Sequence, residues 1–82
     1  MLATLASLTS ANRIKRAVNE MGVYISIIQT PHTLSKEGCG YSLRFDDNSK
    51  KIVESTASEL GIRIRAFYRE VPENDTIIYK KL

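Results

Sequence analysis

The chain has 82 residues, 43% of them hydrophobic, and a formal net charge of +3. That length supports one small core and no deep internal cavity, so any chemistry is expected at the surface, in a shallow groove or at an interface. One cysteine excludes an internal disulfide, the modest charge does not demand nucleic acid, and the apolar start is too short to cross a membrane and lacks the basic opening of a signal peptide; a reducing, cytoplasmic setting is expected.

Residues 2–7 alternate weakly and predict a short strand. Thr9 or Ser10 then offers a helix N-cap, and Ala11, Ile14, Ala17, Val18 and Met21 recur at helical spacing. Gly22 follows the last turn, so the helix is expected over about 10–21. The β-branched run from Val23 to Gln29 predicts a second strand, ended by Thr30-Pro31 because proline cannot donate to a ladder. A polar loop, Pro31–Gly38, carries His32, Ser35, Lys36 and Glu37 and leads to a third strand over Tyr41–Phe45. Asp46, Asp47, Asn48 and Ser49 place capping groups and negative charge at the start of a second helix. Its apolar stripe is Ile52, Val53, Thr56, Ala57 and Leu60, and Gly61 stops it. Ile62–Arg69 alternates sharply and predicts a fourth strand.

The two halves rhyme: Glu20-Met21-Gly22-Val23 parallels Glu59-Leu60-Gly61-Ile62. The order β-α-β-β-α-β predicts an α+β, ferredoxin-like domain over residues 1–71, with a four-stranded antiparallel sheet and both helices on one face. Residues 72–82 form a tail in which Thr76–Tyr79 has strand propensity; it is either an added edge or dimer strand, or a loosely held terminus guarded by Lys80 and Lys81.

If Ile62, Ile64 and Ala66 point at the helices, then Arg63, Arg65, Phe67 and Arg69 point away, joined by Ser42 and Arg44. The open face would then be basic, with one aromatic ring among the arginines. RNA-binding domains of this architecture stack bases on such a face, but Gly40-Tyr41-Ser42-Leu43-Arg44-Phe45 lacks the glycine and aromatic pattern they need, which disfavours nucleic acid. A solvated or subunit-covered face is the plainer reading.

Cys39, between Gly38 and Gly40, is the best candidate for chemistry. Glycines on both sides remove side chains that would block approach to the sulfur. The thiolate is the nucleophile; Lys36 and the arginines would favour it, Glu37 would oppose it, and backbone N–H groups at the glycines could cradle it. The competing reading is a lone cysteine as small apolar filler, with His32 an ordinary exposed histidine. One cysteine and one histidine do not make a zinc site, and no paired-carboxylate, phosphate-loop or dinucleotide-loop spacing is present, so no cofactor or metal is called for.

The stretch from Thr30-Pro31 through the serine-bearing loop to Cys39-Gly40 and the strand ending at Arg44-Phe45, set between two helix-Gly-strand units, resembles the selenium/sulfur carrier-like family. These are small bacterial and archaeal domains, found alone or fused behind a TusA-type sulfur-carrier domain. The resemblance spans about residues 1–70 and departs from the family pattern at Lys36-Glu37 and Tyr41. It implies a cytoplasmic domain in which Cys39 carries sulfur or selenium as a persulfide or selenopersulfide. Gly38, Gly40, Lys36, Ser35, Arg44, Arg63 and Arg65 would be its binding residues. The implied role is at most that of a sulfurtransferase-like carrier without independent turnover, working between a protein donor and a protein acceptor. A second copy of the chain is a further candidate partner. The other reading is a non-enzymatic binding module that uses the basic face for a protein, RNA or small anion.

Overall fold

The computed structural model describes residues 1–31, 33–34 and 40–82. The elements run β1 (Leu2–Leu5), α1 (Leu8–Glu20), β2 (Ser26–Gln29), β3 (Tyr41–Arg44), a 3-10 turn (Asp47–Ser49), α2 (Lys50–Glu59), β4 (Ala66–Glu73) and β5 (Thr76–Lys81). The α+β class, the two helices and the antiparallel sheet are as expected. The sheet, however, has five strands among the described residues, in the order β2-β3-β1-β4-β5, and not the four of a ferredoxin-like domain. The added strand is Thr76–Lys81, which pairs with β4 through the tight Asn74-Asp75 turn.

Helix α1 starts earlier than its sequence suggests. Ser7, in extended conformation, accepts a hydrogen bond from Ser10 N–H through its hydroxyl, so Thr9 and Ser10 fall inside the first turn. Ala11, Ile14 and Val18 form its buried stripe. Both helices end in the same way. Gly22 and Val23 donate to Asn19 and Val18 carbonyls, and Gly61 and Ile62 donate to those of Ser58 and Ala57. These are two Schellman motifs, each satisfying carbonyls that the last turn leaves without partners. The rhyme between the halves is this helix stop written twice. It also delays the strands that follow, so pairing begins at Ser26 and at Ala66 rather than directly after each glycine.

The helices cover one face. Met1, Ala3, Leu5, Ile25, Leu43 and Phe45 from the sheet side meet Ala11, Ile14, Val18, Val53 and Ala57 from the helices, all buried. Phe67 belongs to this side: its ring meets Phe45 edge-on (centroids 6.4 Å apart, 84° between planes), and Lys50 Nζ lies 5.1 Å from its centroid. Arg69 is on the same side, its Nε 3.3 Å from Asp47 at the start of the second helical segment. The expected outward orientation of Phe67 and Arg69 is therefore reversed. The cause is local: Arg65 N–H donates to Thr4 O, while the ladder opposes Thr4 to Ala66, so two residues of one strand meet one of the other. An extra residue of this kind, as in a β-bulge, shifts the alternation by one. Ile64 and Phe67 consequently both pack on the core.

Two cross-strand rows occupy the opposite face, Ser26–Arg44–Leu2–Tyr68 and Ile28–Ser42–Thr4–Ala66. The expected basic face is not there. Leu2, Thr4 and Ser42 at its centre are buried, and Arg44 is engaged by Glu70 at 3.1 Å.

Candidate functional site

His32, Ser35, Lys36, Glu37, Gly38 and Cys39 lie outside the described residues. What the structure describes is the pair of strands that holds the segment between them. Thr30 N–H donates to Gly40 O at 3.1 Å, and Leu34 N–H donates to Pro31 O at 2.9 Å. The first bond extends the β2–β3 ladder by one step beyond Gln29↔Tyr41, to Thr30 and Gly40.

A second bond reinforces this base. The hydroxyls of Thr30 and Ser42 are 2.8 Å apart, with Ser42 fully buried. Alternation explains the pairing, because Ser42 is two residues beyond Gly40 and so lies on the same side of the strand. Neither hydroxyl was singled out from the sequence as a site residue; the usable signal was that both flank the loop. Ser42→Ala leaves Thr30 Oγ1 without its partner and is expected to cost about 1–3 kcal/mol in urea denaturation. Adding Thr30→Val should recover part of that loss. A double variant as unstable as the sum of the two singles would contradict the pairing.

Gly40 is the expected site residue whose geometry is clearest. Its φ is +150°, a conformation that side chains disfavour, and a Cβ placed there would lie 3.4 Å from Thr30 Oγ1 and 3.5 Å from Leu5 O. The residue that follows Cys39 in the chain is thus fitted between β2 and the end of β1. Two residues beyond Leu5, the Ser7 cap opens α1, whose first turn contains no acidic residue. The partial positive charge of that helix end is therefore not offset from within the helix. Arg65 reaches the same end of the sheet from the other side, bonded through its N–H to Thr4 O. Two strand spacings separate it from β3, roughly 10 Å. Arg63 and Arg65 are exposed and make no ion pair among the described residues.

Arg44 is not part of this group. It stands at the far end of β3, beside Leu2 and bound to Glu70. There it lines a cleft of about 680 Å³ together with Tyr24, Ser26, Asp46, Ser49 and Glu70. The expected binding residues thus divide between the two ends of the sheet, Gly40 and Arg65 at one and Arg44 at the other, with Arg63 exposed in the segment before β4.

Among the described residues no cluster of three histidine, cysteine or acidic side chains is placed to hold a metal ion, and no helix is long and apolar enough to cross a membrane. A family model described as "Putative Se/S carrier protein-like" matches residues 1–69. No curated protein and no solved structure matches the chain.

Proposed function

The chain belongs to the Se/S carrier protein-like family, and from that premise we propose that it carries sulfur or selenium between proteins on Cys39, in the cytoplasm. In the proposed cycle the Cys39 thiolate attacks the outer sulfur of a donor protein's persulfide. An Sγ–S bond forms, the donor's S–S bond breaks, and the donor leaves as a thiolate. An acceptor nucleophile then takes the outer sulfur and returns Cys39 as a thiolate. No external oxidant or reductant enters, because the transferred sulfur keeps its oxidation level. A selenopersulfide would follow the same course.

The observation that supports this most is the fastened base of the loop, where Gly40 bonds to Thr30 and fits between Thr30 and Leu5. It ties the chain next to Cys39 to the end of the sheet. The uncompensated start of α1 and the exposed Arg65 share that end, and positive charge favours a thiolate over a thiol. With no second cysteine in the sequence, no internal thiol can displace the carried sulfur by forming a disulfide. In this proposal Gly38 and Gly40 keep the approach to the sulfur open, Ser35 and Lys36 hold the anion, and Arg63 and Arg65 meet the partner proteins. A binding module built on the basic sheet face draws less support, since Phe67 and Arg69 face the helices and Arg44 is paired.

The test is intact-protein mass spectrometry after incubation with a cysteine desulfurase and cysteine, for the parent and for Cys39→Ser. The expected result is one added sulfur atom on the parent, released by reductant, and none on the variant. Equal loading of both proteins, or none on a folded parent with a free thiol, overturns the proposal.

A further inference from the structure

The sheet ends on β5, which has β4 on one side and no strand on the other among the described residues. Ile77, Ile78 and Leu82, on this strand and just after it, are 45%, 38% and 54% exposed. They are half of the large apolar side chains left exposed among the described residues, with Ile78 and Leu82 on one face of the strand and Ile77 on the other.

The direction of the strand's backbone groups follows from its two ends. At the turn, Asn74 and Asp75 have φ of 47° and 63°, the signature of a two-residue hairpin closed by Glu73 opposite Thr76. At the other end Leu82 N–H donates to Phe67 O. Hydrogen-bonding groups alternate sides along an antiparallel strand. Thr76, Ile78, Lys80 and Leu82 therefore direct theirs into β4, while Ile77, Tyr79 and Lys81 direct theirs outward.

We propose that this outer edge binds the same edge of a second copy of the chain, antiparallel, about a two-fold axis at Ile78. In that register Ile77 faces Tyr79 of the second copy, and both are residues whose backbone groups point outward. Each such pair exchanges two hydrogen bonds. Ile78 meets Ile78 across the axis, and Lys81 stands opposite Asp75, once on each side. Charge opposes two of the other alignments. Moving the axis to Lys80 sets Lys80 against Lys80, and a parallel alignment stacks both lysines on their own copies, which like-charge repulsion opposes. Lys80 and Lys81 thus guard the edge against those two alignments. The family match ends at Arg69, so this edge is a feature that family membership does not supply.

Cross-linking tests the register in a Cys39→Ser background. At a facing pair without mutual hydrogen bonds the Cα atoms are about 4.5 Å apart, within disulfide range. Ile78→Cys is expected to give a disulfide-linked dimer on mild oxidation. Thr76→Cys should not, because its own counterpart lies four residues along the strand, roughly 13 Å away. By sedimentation the parent, 9.2 kDa as a monomer, should weigh twice that at about 0.1 mM. Ile78→Lys should remain a monomer with an unchanged circular dichroism spectrum. A monomeric parent at that concentration, or equal cross-linking at 76 and 78, overturns the proposal.

Discussion

Leu43→Ala is expected to remove about 2–5 kcal/mol of folding stability, the usual range for emptying a fully buried leucine site. Leu43 is fully buried on β3, between Ile27 on β2 and Ala3 on β1, and it belongs to the core cluster beneath α1. The cavity would open where strands and helix meet, and the small Ala3 beside it cannot fill the space. A chain of this size typically has about 4–12 kcal/mol in total, so the variant should be near its limit of stability. Urea denaturation followed by circular dichroism measures the change. Tyr24→Ala, at a residue 84% exposed, is the control, and should change stability by no more than about 0.5 kcal/mol. A Leu43→Ala loss below about 1 kcal/mol would show that this site is not the packed centre described above.

Gly40→Ala should also be costly, for a different reason. The nearest atoms to an added Cβ, at 3.4 and 3.5 Å, leave almost enough room, so the cost comes from the backbone. A residue with a side chain held at φ +150° pays on the order of 1–3 kcal/mol. Gly22→Ala is the comparison, because Gly22 also has positive φ, at 84°, but nothing lies within 4 Å of its added Cβ. That site is left-handed helical, which a side chain tolerates better, so the loss should be near 1 kcal/mol. If Gly40→Ala instead keeps its stability by rotating φ, the Thr30–Gly40 bond must break, and the Thr30 amide should then exchange faster with solvent. Unchanged stability together with an unchanged Thr30 exchange rate would falsify the account of the loop base. Sulfur loading of the same variant then reports whether the fastened base matters to Cys39.

Much of this arrangement is legible in the sequence. The apolar stripes of α1 and α2 are plain at helical spacing, and the glycine stops are visible as a repeated phrase. The inward side of β3, with Tyr41, Leu43 and Phe45, follows from alternation alone. The failures share a physical cause. Ile62–Arg69 alternates more sharply than any other segment, yet the extra residue at Arg65–Ala66 resets the alternation. A bulge depends on how two strands meet, and neither strand's composition records it. The same reset removes Phe67 and Arg69 from the expected basic face. Ser42 does lie on the face away from the helices, as alternation predicts, but it is buried there beside Thr4. The glycine neighbours single out the Cys39 thiol as the chemical candidate, a reading that falls outside the described residues. The bonds that fasten its loop at Thr30, Gly40 and Ser42 could not be read, because they depend on strand register.

The position of β1 has a consequence for how the chain folds. This strand precedes both of its partner strands in the chain, yet it lies inside the sheet: Ala3 pairs with Leu43 on one side and with Phe67 on the other. Neither partner exists while the first helix is being made. Met1–Leu5 must therefore wait, apolar and unpaired, until most of the chain has left the ribosome. Closure then depends on contacts between distant positions, which slows folding relative to a helical bundle of the same size. The exposed interval is the period in which this sequence is most open to aggregation. Slowing translation beyond Arg44 should lengthen that interval, and supplying Ala66–Tyr68 promptly should end it.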